Sequence, residues 1–87
     1  MKNKVLIKLI IPEMDLSYNL FIPVNEVVWK IKKLMIKSIS DMSGFPVDIS
    51  KEFYLFNKDT CNFYNNNEIV INTDIRNSSE LILLSKV

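Results

Sequence analysis

Apolar and polar residues alternate with a period of two over the first part of the chain. Residues 4–11 place Lys4 and Lys8 on one face of an extended segment and the odd-numbered aliphatic residues on the other. After the turn residues 12–15, the alternation resumes over residues 16–22, with apolar side chains at the even-numbered positions. The pattern predicts an antiparallel β-hairpin with one apolar face turned to a core.

The apolar spacing then changes to that of a helix. Pro23 ends the second strand, Asn25 is a suitable N-cap and Ser43-Gly44 supplies a stop, so we expect a helix over about 26–42. At 100° per residue, one broad apolar stripe is predicted to pack on the hairpin. The stripe comprises Val27, Val28, Ile31, Leu34, Met35, Ile39 and Met42.

Trp29 and Ile36 lie together outside that stripe. Because tryptophan is enriched at binding hot spots, the pair is a candidate anchor for a protein partner. Alternatively, Trp29 folds back onto Val24 as a hydrophobic staple or covers the sheet edge. Both interpretations are open from the sequence.

One basic cluster lies on the predicted helix, at Lys30, Lys32, Lys33 and Lys37. A solvated outer helix face is the ordinary explanation for such a cluster, and a ligand-binding stripe is the alternative. Glu26 and Asp41 partly offset its charge.

The second half of the chain predicts further extended segments. Residues 53–56 form a strand with Phe53 and Leu55 inward and Tyr54 outward, the residues around Cys61 form a brief edge strand, and residues 81–84 form the last strand. With the hairpin and the helix, these segments predict a single α+β domain over residues 1–87. In it, one helix crosses a mixed sheet of four or five strands.

Two stretches carry a resemblance to ubiquitin. Gly44-Phe45-Pro46-Val47-Asp48 resembles the Gly-Ile-Pro-Pro-Asp that follows the ubiquitin helix, and residues 68–84 are similar in spacing to ubiquitin's closing segment. The resemblance implies a ubiquitin-like β-grasp fold. It also implies that Val70 and Ile75 are buried anchors and that Leu81 and Leu83 point inward.

Three departures from ubiquitin point to one branch of that fold. The helix region from Asn25 to Gly44 is longer, the region around Cys61 has no matching glycine, and the chain ends Leu84-Ser85-Lys86-Val87 without Gly-Gly. Together with residues 15–31, these departures look most like the YukD/EsaB family of small ubiquitin-like proteins, which is tied to bacterial type VII (ESX-like) secretion. The resemblance implies an accessory or regulatory role in bacterial secretion, and the missing Gly-Gly predicts that the protein is not conjugated through its C-terminus. The single Cys61 and an N-terminus without the pattern of a signal peptide predict a cytoplasmic location.

Composition limits the possible chemistry. The chain has no histidine, one cysteine and one glycine, so it lacks the usual acid–base group near pH 7, a Ser–His or Cys–His nucleophile and a glycine-rich phosphate loop. A net charge of +1 gives no strong field for nucleic acid. The apolar runs are far shorter than the roughly 20 residues that span a bilayer. We expect a non-enzymatic protein that uses no metal or cofactor, binds no nucleic acid and does not insert into a membrane.

Protein binding is the remaining candidate activity. Periodicity turns Tyr54, Ile82 and Leu84 away from the core, and by the resemblance they match the sheet surface through which ubiquitin-like domains commonly bind partners. These residues are the first candidate interface, and Trp29 with Ile36 is the second. Weak self-association through the same apolar surface is a further expectation. The alternative functions are a sulfur or modifier carrier acting through its C-terminus and a ubiquitin-like domain cut from a larger protein.

Overall fold

A computed structural model describes residues 3–44 and 51–86 of the chain. Within these residues, four strands and one helix follow the predicted order, with short 3₁₀ turns at Pro12–Met14 and Val70–Asn72. The predicted Phe45-Pro46-Val47-Asp48 loop and the final Val87 lie outside the described residues. The strands are β1 (Lys4–Ile11), β2 (Leu16–Pro23), β3 (Phe53–Asn57) and β4 (Glu80–Ser85), and the helix is α1 (Val28–Ser43).

The sheet has the order β2-β1-β4-β3 and is mixed. Neighbouring strands run antiparallel except for the central pair, in which β1 and β4 are parallel. Phe63 makes only an isolated bridge to Phe56, so the described residues form four strands and not five. The predicted α+β fold with one helix and a mixed sheet is confirmed.

The hairpin forms as the alternation predicts. Ile7 lies opposite Leu20, and at the turn Asp15 adopts a left-handed conformation with φ 53° while its N–H donates to the carbonyl oxygen of Pro12. The odd-numbered residues Ile7, Leu9 and Ile11 are buried. The sheet face that these residues share therefore packs toward the core.

The core lies between that face of the sheet and α1. Burial of these aliphatic side chains is the main favourable contribution to folding, because it removes apolar surface from water. Val5 and Leu20, which we expected in the core, are partly buried at its margin. The fully buried members of the core are Ile7, Leu9, Ile22, Val28, Ile31, Met35, Ile39, Leu55, Val70, Leu81 and Leu83.

The helix is rotated relative to the predicted stripe. Leu34 is 46% exposed, whereas Ile36, which we expected outside the stripe, is only 4% exposed. At 100° per residue, the buried stripe is turned by about 40° toward Ile36. This rotation turns α1 toward β3, where Ile36 and Phe53 line the same groove.

The predicted N-cap at Asn25 is wrong. The helix begins at Val28 without a side-chain cap, and its first N–H groups bond to a distant segment. The N–H of Val28 donates to the carbonyl oxygen of Glu68 at 2.8 Å, and the N–H of Trp29 donates to that of Asn66 at 3.1 Å. These bonds satisfy donors that a helix start would otherwise leave unpaired.

The connection between β3 and β4 is ordered by the Asp74 carboxylate. This carboxylate accepts hydrogen bonds from Thr60 Oγ1 and Asn62 Nδ2, each at 2.8 Å, and from the Tyr64 hydroxyl. Burial raises the pKa of Asp74, but the hydrogen bonds from Tyr64, Asn62 and Thr60 outweigh burial and leave the pKa below its ordinary value. Burial and the bond to Asp74 raise the pKa of the Tyr64 hydroxyl, which stays protonated as the donor.

The rotation of α1 predicts how two neighbouring substitutions differ. Ile31→Ala should lower the free energy of unfolding by about 2–5 kcal/mol, because it removes a fully buried side chain and leaves a cavity. Leu34→Ala should lower it by only about 1 kcal/mol or less, since Leu34 is nearly half exposed and lies outside the core. Urea unfolding of both variants measures the difference, and equal losses would contradict the observed helix rotation.

The Asp74 network predicts acid sensitivity. A carboxylate whose pKa is lowered by folding contributes stability above its unfolded pKa and loses that contribution as the pH falls through its folded pKa. Asp74→Asn should therefore be less stable than the parent at pH 7, and the difference should shrink progressively as the pH falls below about 5. Urea unfolding at several pH values tests this.

The matched control is Asp59→Asn, because no described residue donates a hydrogen bond to the Asp59 carboxylate. This variant should keep the parent's stability at pH 7. A difference between Asp74→Asn and the parent that stays constant with pH would contradict the assignment.

Candidate protein-interaction surface

The strand register brings the three predicted sheet residues together on the face opposite α1. Tyr54 of β3 lies opposite Leu84 of β4, and Ile82 lies opposite Phe56 on one side and Ile10 of β1 on the other. Directly opposite side chains on one face of a sheet are in contact range. These residues therefore form one apolar surface across three strands.

The exposure of the three predicted residues is unequal. Tyr54 is 44% exposed, whereas Ile82 and Leu84 are half-buried. Tyr54 is therefore the most exposed of the three predicted residues. Ile82 and Leu84 form a supporting floor beside it.

Phe63 is a member of this surface that the sequence analysis missed. Its ring stacks on Phe56 with centroids 4.7 Å apart and meets Tyr54 edge-on at 5.8 Å, both favourable arrangements of aromatic rings. Phe63 is 59% exposed. We call the set Tyr54, Phe56, Phe63, Ile82, Leu84 and Ile10 the aromatic patch.

Backbone bonds along the edge of β3 place Phe63. The N–H of Tyr64 donates to the carbonyl oxygen of Leu55, and the N–H of Asn57 donates to that of Asn62, each at 3.0 Å. Asn62 and Tyr64, on either side of Phe63, also donate to Asp74. The only sequence signal for this arrangement was the brief edge strand predicted around Cys61, which did not give the register.

A second exposed apolar pair lies at the other end of the same face. Leu6 and Phe21 are opposite each other on β1 and β2, and Phe21 is 63% exposed. A row of polar residues, Asn19, Lys8 and Glu80, crosses the sheet between this pair and the aromatic patch. The sheet face therefore carries two separate apolar areas.

The second predicted interface, Trp29 with Ile36, does not form an exposed pair. Ile36 belongs to the core because of the rotation of α1, and only Trp29 reaches the surface, at 39% exposure. The ammonium groups of Lys33 and Lys30 lie 5.0 and 5.5 Å from the Trp29 ring centroid, within cation–π range. The prediction of an exposed pair was wrong because it assumed the wrong helix rotation.

Lysine side chains separate Trp29 from the aromatic patch. The Lys32 ammonium donates to the carbonyl oxygen of Phe53 and to Asn66 Oδ1, each at 2.8 Å. Burial and, secondarily, the nearby Lys86 lower the pKa of Lys32. Lys86 forms an ion pair with Glu52 at 3.2 Å and lies 4.9 Å from the Tyr54 ring centroid.

Two other features are absent from residues 3–44 and 51–86. No group of three or more histidine, cysteine, aspartate or glutamate side chains is arranged to hold a metal ion in these ranges. In the same ranges, no helix is long and apolar enough to cross a membrane.

No protein-family model matches the sequence, and neither does any curated protein. Solved structures do match. A ubiquitin-like domain of an Arabidopsis thaliana protein superposes with a TM-score of 0.69 at 15% identity, covering 98% of this chain and 80% of that one.

Two further structures come from larger assemblies. A chain of the MycP5-free ESX-5 inner membrane complex matches with a TM-score of 0.75 at 13% identity, over 97% of this chain but only 21% of that chain. A chain of the toluene 4-monooxygenase HD complex with the inhibitor 4-bromobenzoate matches with a TM-score of 0.77 at 4% identity, over 97% and 100% of the two chains. At such identities the matches establish architecture alone, and the chain has the ubiquitin-like β-grasp fold.

Proposed function

We propose that this chain is a non-enzymatic interaction module that binds a protein partner through the aromatic patch. The observation that carries the proposal is the packing of Phe63 on Phe56 and Tyr54, which extends the apolar face of β3 and β4 into one continuous surface. Contiguous exposed apolar surface on a small protein is typical of an interface.

The patch has the physical properties of a binding hot spot. Tyr54 and Phe63 are exposed, but each is fixed by a neighbouring ring, so a partner orders few side chains on binding. Burial of apolar area contributes about 25 cal/mol per Å², so two aromatic side chains supply several kcal/mol toward association. Ile82 and Leu84, half-buried on the neighbouring strand β4, add further apolar surface beside them.

We propose further that the partner is a component of a bacterial type VII secretion system and that the chain has an accessory role on the cytoplasmic side. Two observations support this. The departures from ubiquitin along the sequence resemble the YukD/EsaB family, and the fold resembles part of a chain in the ESX-5 inner membrane complex. The proposal assigns to this chain a partner that those relatives suggest by analogy.

The aromatic patch predicts a selective loss of binding. Tyr54→Ser with Phe63→Ser should weaken partner binding at least tenfold, because both exposed anchors are removed. The free energy of unfolding should change by only about 1 kcal/mol, since neither side chain is in the core. Titration against the purified partner and thermal unfolding measure the two quantities.

Leu6→Ser with Phe21→Ser is the matched control, because it removes an exposed apolar pair from the other end of the same sheet face. This variant should bind like the parent. If the control lost binding while the patch variant bound like the parent, the interface would lie around Leu6 and Phe21. That result would contradict the proposed role of the aromatic patch.

The proposed role in secretion has its own test. Deletion of the gene in its native bacterium should reduce export of the secretion system's substrates, and expression of the parent chain or of the Leu6→Ser, Phe21→Ser variant should restore export. The Tyr54→Ser, Phe63→Ser variant should not. Unchanged export after deletion would contradict the secretion role. It would not bear on the aromatic patch as an interface, which the binding titration tests separately.

A further inference from the structure

A groove separates the first turns of α1 from the start of β3. It has a volume of about 140 Å³, and Trp29, Ile36 and Phe53 supply its apolar surface. Ile36 and Phe53 are buried, while Trp29 is partly exposed at the rim. The groove is thus an open depression in which an aliphatic or aromatic side chain would contact the indole ring.

Positive charge is concentrated around this groove. Lys32, Lys33, Lys51 and Lys86 line it, and the only acidic residue in the lining is Glu52, which pairs with Lys86. The whole chain has a net charge of only +1, so the remainder of the molecule carries the compensating negative charge. Among the described residues, Lys32, Lys33 and Lys51 have no carboxylate within ion-pair distance.

Lys32 is a preformed donor within the groove. Its ammonium group is fixed by the carbonyl oxygen of Phe53 and by Asn66 Oδ1, each at 2.8 Å. An ammonium group has three N–H donors, so one remains for a ligand. Burial and the charge of Lys86 lower the pKa of Lys32, because both disfavour its ammonium form. A bound anion would offset part of this destabilisation of the positive charge.

We propose that the groove binds an acidic peptide segment of a protein partner, with a carboxylate on Lys32 and a neighbouring apolar side chain against Trp29. Carboxylates complement the lysines, and the indole ring beside Lys33 gives the apolar contact that a peptide supplies next to its acidic residues. This inference goes beyond the aromatic patch, since it concerns a different surface and names the chemistry of its ligand.

Peptide is favoured over the two other polyanions. Nucleic acid is ordinarily bound along an extended basic stripe, and this groove is short and belongs to a chain of nearly neutral net charge. A flat anionic bilayer attracts protruding lysines, whereas the Lys32 ammonium is partly buried and held back by two acceptors. A narrow chain bearing a carboxylate reaches that position.

The groove adjoins the aromatic patch. Lys86 lines the groove and also lies over the Tyr54 ring. One partner with an acidic segment beside an apolar surface would therefore cover both areas. The two surfaces remain separable by mutation, because Lys33 belongs to the groove and Phe63 to the patch.

Trp29 is the only tryptophan in the chain, so its fluorescence reports directly on the groove. The experiment titrates the protein with a synthetic peptide of alternating glutamate and leucine residues and with the same peptide carrying glutamine for glutamate. The acidic peptide should give a saturable change in fluorescence that weakens as salt is raised. The glutamine peptide should give no such change, and equal binding of the two peptides would overturn the proposal.

Three variants locate the binding. Lys33→Glu should weaken it at least tenfold, and Lys32→Met, which keeps the aliphatic stem, should do the same. Lys4→Glu makes the same charge change as Lys33→Glu on β1, outside the groove, and should weaken binding less than threefold. Equal losses of peptide affinity in Lys33→Glu and Lys4→Glu would show that the peptide is attracted by overall charge. That result would overturn the assignment of binding to the groove.

Thermal unfolding shows whether each variant is folded. If Lys32→Met is unstable, Lys33→Glu decides the test, since Lys33 is exposed and its replacement should not disturb the fold.

A single-stranded oligonucleotide and vesicles containing phosphatidylglycerol are titrated in parallel. Tighter binding of either one than of the acidic peptide would contradict the peptide assignment. The Tyr54→Ser, Phe63→Ser variant should bind the acidic peptide like the parent. The groove proposal and the aromatic-patch proposal can therefore be refuted independently of each other.

Discussion

The arrangement of the whole molecule depends on the docking of the α1 N-terminus against the segment that precedes β4. Four backbone hydrogen bonds join residues 24–29 to residues 66–71, the shortest being that from the Val28 N–H to the carbonyl oxygen of Glu68 at 2.8 Å. These bonds fix where the helix begins and how it is rotated over the sheet. Asn66 has two roles, because its carbonyl oxygen accepts from the Trp29 N–H and its side-chain oxygen accepts from Lys32. Asn66 therefore takes part both in capping the helix and in lining the groove that holds Lys32.

This docking explains why some features were predictable from the sequence and others were not. The strand faces followed from a period of two that is a local property of the chain, so the inward positions of Ile7, Phe53 and Leu55 were predicted correctly. The inward positions of Leu81 and Leu83 came from the resemblance to ubiquitin and are also confirmed. The helix start and rotation are set by contacts with residues some forty positions away, and a local cap at Asn25 was the wrong expectation. The burial of Ile36 and the exposure of Leu34 are consequences of that rotation.

The candidate interface was partly predictable for a related reason. Tyr54 and Leu84 could be assigned to one face by alternation, and the register then placed them opposite each other. Phe63 could not be added from the sequence, since it lies in an Asn-rich stretch without a clear period. It is placed by the backbone bonds that its neighbours Asn62 and Tyr64 form with Asn57 and Leu55 of β3. Asp74, eleven residues beyond Phe63, holds both of its neighbours. Hydrogen-bond networks of this kind leave only a sparse trace in a single sequence.

Strand β3 contributes to both proposed surfaces, because its alternate residues point to opposite faces of the sheet. Its odd-numbered residues Phe53 and Leu55 point into the core, and the carbonyl oxygen of Phe53 holds the Lys32 ammonium at the groove. Its even-numbered residues Tyr54 and Phe56 point to the opposite face and support Phe63. A displacement of β3 along the sheet would therefore move the lysine anchor and the aromatic patch together. Because a one-residue slip would also turn Phe53 and Leu55 out of the core, the core itself holds the two surfaces in a fixed relation.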